Sequence, residues 1–132
     1  MTSSSTPTIV EEIVPLFFVE EIDRSVAFYK QLGFELAREW SPDGKLTWCR
    51  LQRGGAAVML QQACEEDGPV AGRGRGVIFY FNCADVDTIH REFIASGLQL
   101  PAPKIAFYGE KQIHFHDPDG YELCFQSTVK QA

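Results

Sequence analysis

Six side chains able to bind ligands or transfer protons flank one turn near the end of this 132-residue chain. They occupy every second position on each side of the turn: Gln112, His114 and His116, then Glu122, Cys124 and Gln126. Because successive side chains of a strand point to opposite faces, each set of three shares a face. Most of the intervening positions are apolar. The pattern predicts a hairpin with one apolar face and one polar face.

The turn itself reads Asp117-Pro118-Asp119-Gly120. Proline presets φ, aspartates bond nearby amides and glycine tolerates positive φ, which together favour a tight turn. Such a turn places Glu122 across the hairpin from His114 and His116. Two imidazoles and a carboxylate are a sufficient ligand set for a catalytic zinc or iron ion. The same residues are also found on polar strand faces that bind no metal, and we prefer this interpretation because the histidines lie near the turn.

The preceding chain predicts a strand, a helix and three further strands. A strand over residues 9–19 accommodates Pro15 at an edge or bulge. A helix capped near Asp23 ends at Gly33. The three strands that follow are predicted over residues 34–40, 46–51 and 56–62.

The second half repeats this order. With a shift of 64, Glu21-Ile22-Asp23 lies over Asp85-Val86-Asp87, and one residue further on Gly55–Gln61 lies over Gly120–Gln126. The repeat predicts an α+β fold of two tandem βαβββ modules within a single domain. The expected organisation is a disordered tail (1–8), a first module (9–66), a mobile Gly-rich loop (67–75) and a second module (76–128).

Composition narrows the function. A formal charge of −6 and a pI near 5.0 argue against non-specific nucleic-acid binding. No apolar run is long enough to cross a membrane, and the polar N-terminus has no signal-peptide pattern. The cysteines are scattered, which indicates reduced thiols and a cytoplasmic protein.

Residues 24–34, the internal repeat and residues 117–123 together resemble the vicinal oxygen chelate superfamily. This superfamily includes glyoxalase I, extradiol dioxygenases, and fosfomycin- and bleomycin-resistance proteins. The resemblance covers residues 9–128 and implies curled sheets that enclose a cavity. It also implies a homodimer.

The resemblance places the family's metal ligands at Val14, Met59, Ile78 and Cys124. The internal repeat pairs the same positions, Val14 with Ile78 and Met59 with Cys124. Valine and isoleucine offer no donor atom, methionine offers a weak one, and one cysteine cannot hold the ion alone. We therefore expect no metal and no other cofactor.

The resemblance also orients the hairpin. In fosfomycin-resistance members the residue three positions before the turn contacts substrate, and here that residue is His114. The position of Cys124 points inward in the family. The expected ligand-binding residues are Gln112, His114, His116, Glu122, Cys124, Gln126, Trp48 and Met59. The strand at 46–51 fits either phase, one presenting Trp48 and Arg50, the other Thr47, Cys49 and Leu51.

Three functions fit these residues. The first is a metal-free protein of the bleomycin-resistance type that sequesters a small molecule and confers antibiotic resistance. The second is an enzyme, a glyoxalase-like lyase or isomerase or a dioxygenase-type metalloenzyme, built on His114, His116 and Glu122. The third is a partner-binding domain without a ligand.

Overall fold

The structure, a computed structural model, describes residue 7 and residues 9–129. The expected disordered tail, residues 1–8, lies outside the described residues apart from Pro7. The helices and strands are β1 (Leu16–Val19), α1 (Ile22–Gln31), β2 (Glu35–Trp40), β3 (Trp48–Arg53), β4 (Ala56–Gln62), β5 (Ile78–Asn82), α2 (Val86–Ala95), β6 (Lys104–Ile105), β7 (Glu110–His116) and β8 (Glu122–Thr128). Neither helix is long and apolar enough to cross a membrane, among the residues described.

Each module forms its own four-stranded sheet. The strand orders are β1-β4-β3-β2 and β5-β8-β7-β6. In both sheets the first strand pairs in parallel with the last strand, and the other pairs are antiparallel. The α+β class and the two βαβββ modules are confirmed.

The pairing registers confirm the repeat residue by residue. Leu16 lies opposite Met59 in the first sheet, and Tyr80 lies opposite Cys124 in the second. Met59 and Cys124 are therefore equivalent, as are Leu16 and Tyr80. Two residues before the latter pair, Val14 corresponds to Ile78.

The first strand is shorter than the sequence predicts. It begins at Leu16 rather than Ile9, and residues 9–14 form neither helix nor strand. Proline has no N–H to give to a ladder, so Pro15 contributes only its carbonyl, which accepts from the Met59 N–H at 2.8 Å. Ile9 and Ile13 are consequently exposed.

The core lies where the helices cover one face of each sheet. Aromatic rings dominate it, with Phe125 stacked on Phe81 at 4.4 Å and on Phe115 at 5.7 Å between centroids. No helix of the described residues covers the opposite face of each sheet, and we call it the open face. Alternation assigns Trp48, Arg50, Met59 and Gln61 to the open face of the first sheet, and Tyr80, Asn82, Gln112, His114, His116, Glu122, Cys124 and Gln126 to that of the second.

The turn between β7 and β8 joins the two modules. The buried Asp117 carboxylate accepts from the N–H groups of Asp119 at 2.9 Å and Tyr121 at 3.0 Å, and from the Tyr29 hydroxyl of α1 at 2.7 Å. Asp119 accepts from the Ser25 hydroxyl at 3.2 Å. Gly120 closes the turn with φ of 90°, a conformation that glycine adopts without strain.

The Gly-rich connection, which the sequence predicts to be a mobile loop, contacts the modules at several residues. Val70 is buried, and the Arg73 guanidinium lies 5.1 Å from the centre of the Phe18 ring. Gly74 lies so close to Tyr121 that a Cβ there would come within 2.6 Å of its ring. A larger residue at 74 would displace the tyrosine or the connection itself.

Candidate functional site

The six residues predicted to share the polar face of the hairpin do share it. In the antiparallel ladder Gln112 lies opposite Gln126, His114 opposite Cys124 and His116 opposite Glu122. Directly opposed residues point to the same side of a sheet. The alternate residues Ile113, Phe115, Leu123 and Phe125 are buried in the core. The predicted phase of both strands is confirmed.

Five side chains on this face form a continuous chain of contacts that we call the polar row: Asn82, Gln126, Gln112, His114 and Glu122. Gln126 donates to the Asn82 amide oxygen at 2.9 Å, and Gln112 donates to the Gln126 amide oxygen at 2.9 Å. Nε2 of His114 is 3.1 Å from Gln112 Oε1, and its Nδ1 is 3.3 Å from Glu122 Oε2.

The ends of the polar row differ chemically. A neutral imidazole donates through one ring nitrogen and accepts through the other, so Nδ1–H of His114 can donate to Glu122 while Nε2 accepts from the Gln112 amide once that amide is rotated. The amide end can reverse its donors and acceptors by rotation of the side-chain amides. The row therefore presents a carboxylate and an imidazole at one end and adaptable amides at the other.

Cys124 lies under the polar row and is fully buried. Loss of hydration raises the pKa of its thiol to about 11, and the negative charge of Glu122 adds to the effect. The thiol is therefore protonated at neutral pH. A protonated, buried thiol is a poor nucleophile and a poor metal ligand.

Two tyrosines that the sequence analysis did not select border the polar row. The Tyr80 ring meets the His114 ring edge-on at 6.3 Å, and Gln112 donates to the Tyr108 hydroxyl at 2.5 Å. Partial burial is the largest cause that raises the pKa of Tyr80, and the neighbouring Tyr108 raises it further. Tyr80 lies two residues after Ile78 on the same strand face, so alternation alone would have found it. Tyr108 lies outside any strand and gave no such signal.

A cavity of about 380 Å³ adjoins the polar row. Gln112 and His114 form one side, and the chain around β6 forms the other, with lining residues Pro101, Ala102, Lys104, Ile105 and Ala106. Its volume lies within the range of small-molecule sites. A larger cavity, of about 720 Å³, lies elsewhere, between the two modules beside Ala56 and Phe81.

The two metal sites considered from the sequence differ in their donors, because the first has imidazole and carboxylate groups and the second has neither. Glu122 is 3.3 Å from Nδ1 of His114 and 3.9 Å from Nε2 of His116. Yet residue 7 and residues 9–129 contain no group of three His, Cys, Asp or Glu side chains placed to hold an ion. At the family positions, Met59 and the protonated Cys124 supply only soft, weak donors.

The structure resolves the phase of β3. Trp48 lies opposite Gln61 and Arg50 opposite Met59, whereas Cys49 and Leu51 are buried in the core. Trp48 and Met59 thus lie on the open face, which agrees with the predicted phase that presents Trp48 and Arg50. That face belongs to the first sheet, and none of the hydrogen bonds between described residues links either side chain to the polar row.

Comparison with known proteins identifies the superfamily of the chain. The model of the glyoxalase/bleomycin resistance protein/dioxygenase superfamily matches residues 10–125. The chain belongs to that superfamily. A relative from Mycolicibacterium smegmatis, an uncharacterized protein, is 30% identical over 113 residues, which cover 85% of this chain and 89% of the relative.

Solved structures share the superfamily fold at low identity. A bleomycin resistance determinant encoded on the transposon Tn5 has a TM-score of 0.73 and 20% identity, covering 92% of this chain and all (100%) of the other. A bleomycin-binding protein complexed with bleomycin has a TM-score of 0.65 and 18% identity, with coverage of 92% and 100%. At such identity, the likeness shows the fold alone.

Proposed function

We propose that this superfamily member binds and sequesters a small molecule at the polar row without the family metal. The observation that carries the proposal is the hydrogen-bonded polar row itself, which Tyr80 and Tyr108 border and whose members Gln112 and His114 line a cavity. A few convergent polar groups beside aromatic surface are typical of small-molecule sites. The bleomycin-binding relative supports the same reading by its fold.

The chemistry of the site favours a cationic ligand with an aromatic part. Glu122 supplies a carboxylate beside His114 at one end of the row, and the chain carries a formal charge of −6. Tyr80 and Tyr108 offer ring faces on which a cation or an aromatic group can rest. Bleomycin-type compounds, and hence antibiotic resistance, are the ligand class and role that we test first.

We further propose a homodimer in the cytoplasm. Leu16, Ile78 and Tyr80, on the free-edge strands of the two sheets, are each at least 39% exposed, and a second copy would cover them. The free thiols of Cys49, Cys64, Cys83 and Cys124 support a reducing compartment. Light scattering at micromolar concentration should give twice the 14.8 kDa mass of the chain, and a monomer mass would contradict the dimer.

The binding test pairs two neighbours on β7. His114→Ala removes the imidazole of the polar row from an exposed position, so bleomycin should bind roughly five- to hundred-fold more weakly while the melting temperature changes little. Phe115→Ala, on the core face, should destabilise the fold by about 3 kcal/mol or more. The measurements are titration with metal-free bleomycin and thermal melting. Early melting of His114→Ala with unchanged binding would place the site elsewhere.

Metal analysis separates sequestration from the enzymatic alternative. Zinc, nickel and iron in the purified protein should remain at background, and Cys124→Ser should leave them there. An ion in near-stoichiometric amount, lost on His116→Ala, would instead support a glyoxalase-like lyase or a dioxygenase-type enzyme at His114, His116 and Glu122.

A further inference from the structure

The larger cavity lies at a position that the repeat makes equivalent to an aromatic side chain. In the parallel ladders Phe17 lies opposite Leu60 and Phe81 lies opposite Phe125. Phe17 therefore corresponds to Phe81. Four residues before Leu60 and Phe125 stand Ala56 and Tyr121, respectively. The same place in the two modules thus carries an alanine in one and a tyrosine in the other.

Tyr121 shows what that place accepts. Its ring stacks on Phe17, with centroids 4.4 Å apart and an interplanar angle of 12°. Its hydroxyl donates to the main-chain carbonyl of Phe18 at 2.8 Å. Phe18 lies in β1, the edge strand of its sheet, where alternate carbonyls point away from the ladder. A phenol ring and one edge carbonyl form a matched pair here.

On the Ala56 side the ring is missing and the surroundings remain. The cavity of about 720 Å³ is walled by Phe34, Phe79, Phe81, Phe125 and Ile89. Phe79 and Phe81 are only half-buried. The cavity volume is that of a drug-sized ligand rather than of a single side chain.

The acceptor is preserved as well. Asn82 corresponds to Phe18 and also lines the cavity. The Cys83 N–H donates to Gln126 of β8, so the alternation of a parallel strand turns the Asn82 main-chain carbonyl away from β8. Because β5 is the edge strand of its sheet, this carbonyl points to the free side.

The polar groups at the cavity favour a neutral ligand. The Arg53 guanidinium is occupied by the Glu92 carboxylate and the Leu32 carbonyl. Burial raises the pKa of the Cys83 thiol, which is therefore uncharged at neutral pH. No free cation among these lining groups is available to bind an anion.

We propose that this cavity is a second ligand site, which shares only Asn82 with the polar row and binds a planar aromatic molecule bearing a hydroxyl group. The ring packs against Phe79 and Phe81, as Tyr121 packs against Phe17. The hydroxyl donates to the Asn82 carbonyl, as Tyr121 donates to that of Phe18.

The test uses 2-naphthol, with 2-methoxynaphthalene as a probe of similar shape that cannot donate a hydrogen bond. In calorimetric titration of the full chain, 2-naphthol should bind at one site per chain, and the ether should bind roughly three- to tenfold more weakly. Ala56→Tyr places the aromatic ring of the other module where the naphthol ring would pack, so 2-naphthol binding should disappear. The matched control is Ala37→Tyr on the exposed surface of β2, which should leave binding unchanged.

Several results would overturn the site. Equal affinity for the two probes would remove the role of the hydroxyl, and unchanged binding by Ala56→Tyr would place the ring elsewhere. Binding seen only after dilution to a monomer would show that a second copy of the chain occupies the cavity. Should Ala56→Tyr not fold, nuclear Overhauser effects from 2-naphthol to the methyl groups of Ala56 and Ile89 in the native protein decide. Their presence supports the site and their absence refutes it.

Discussion

The two contacts between a hairpin of one module and the helix of the other are equivalent by the repeat, yet they use opposite chemistry. At one, the Asp117 turn buries its carboxylate against Tyr29 and fills the space with the Tyr121 ring. At the other, Arg53 forms a partly exposed ion pair with Glu92, and Ala56 leaves a cavity. A duplicated fold can thus pack its halves tightly at one junction and leave a cavity at the other. We call them the closed junction and the open junction.

The largest difference should come from the closed junction. Tyr121→Ala removes a buried, stacked ring and should destabilise the protein by about 3 to 5 kcal/mol, measured by urea denaturation. The control is Phe107→Ala, because Phe107 is fully exposed and its loss should cost less than about 0.5 kcal/mol. A cost for Tyr121→Ala below about 1 kcal/mol would show that the two junctions contribute alike.

Tyr29→Phe tests the buried hydrogen bond. The change removes only the hydroxyl that donates to Asp117 at 2.7 Å, and leaves a buried carboxylate oxygen short of a partner. We expect a loss of about 1 to 3 kcal/mol in the free energy of unfolding. In an Asp117→Asn background the same change should cost less, because the two residues interact. Identical costs in both backgrounds would exclude the coupling.

Asp117→Asn should remove a pH dependence. Burial is the largest cause that raises the pKa of Asp117 in the folded protein, and it outweighs the hydrogen bonds that favour the charged form. At pH values between the pKa of the unfolded state and that of the folded state, the folded protein therefore holds a proton on Asp117 that the unfolded chain has lost. Native stability should fall, relative to the asparagine variant, as pH rises from about 3.9 through the raised pKa, by about 1.4 kcal/mol per pH unit spanned. A relative gain across that window would reverse the assigned direction.

The open junction should give the smallest effect. Glu92→Gln weakens an ion pair whose side chains are 32% and 45% exposed. Solvent screens such a pair, so the expected loss is about 0 to 1 kcal/mol and should vanish in 1 M salt. A loss as large as that of Tyr29→Phe would make the two junctions energetically equal.

The sequence predicted those parts of the site in which one strand carries a strict alternation. Between Gln112 and His116 polar and apolar residues alternate, so only one phase buries the apolar set. Between Trp48 and Leu51 both phases contain a large side chain suited to a core, and only the pairing of Arg50 with Met59 decides. The fold was predictable because the helix starts and the turn glycines recur at nearly the same shift, 64 residues for the former and 65 for the latter.

The junctions were not predictable from pattern. Asp117 and Gly120 were assigned to a turn, but the partner of Asp117 is 88 residues away on a helix. The cavity beside Ala56 arises from what the side chain lacks, and alanine on a core face is ordinary in any strand. Likewise, the sequence showed that Pro15 would interrupt a ladder. It did not show that the Pro15 carbonyl would accept from Met59 and that β1 would begin at the next residue.

The long sequence separation across the closed junction affects how the chain folds during synthesis. The Tyr121 hydroxyl donates to a carbonyl 103 residues earlier, and the Tyr29 hydroxyl donates to Asp117, 88 residues later. Before the C-terminal hairpin has left the ribosome, Phe17 lacks the Tyr121 ring and Tyr29 lacks its Asp117 partner. The N-terminal half should therefore expose apolar surface until synthesis ends. Contacts of such high order fold late, and a truncated chain ending before residue 117 should require a chaperone to avoid aggregation.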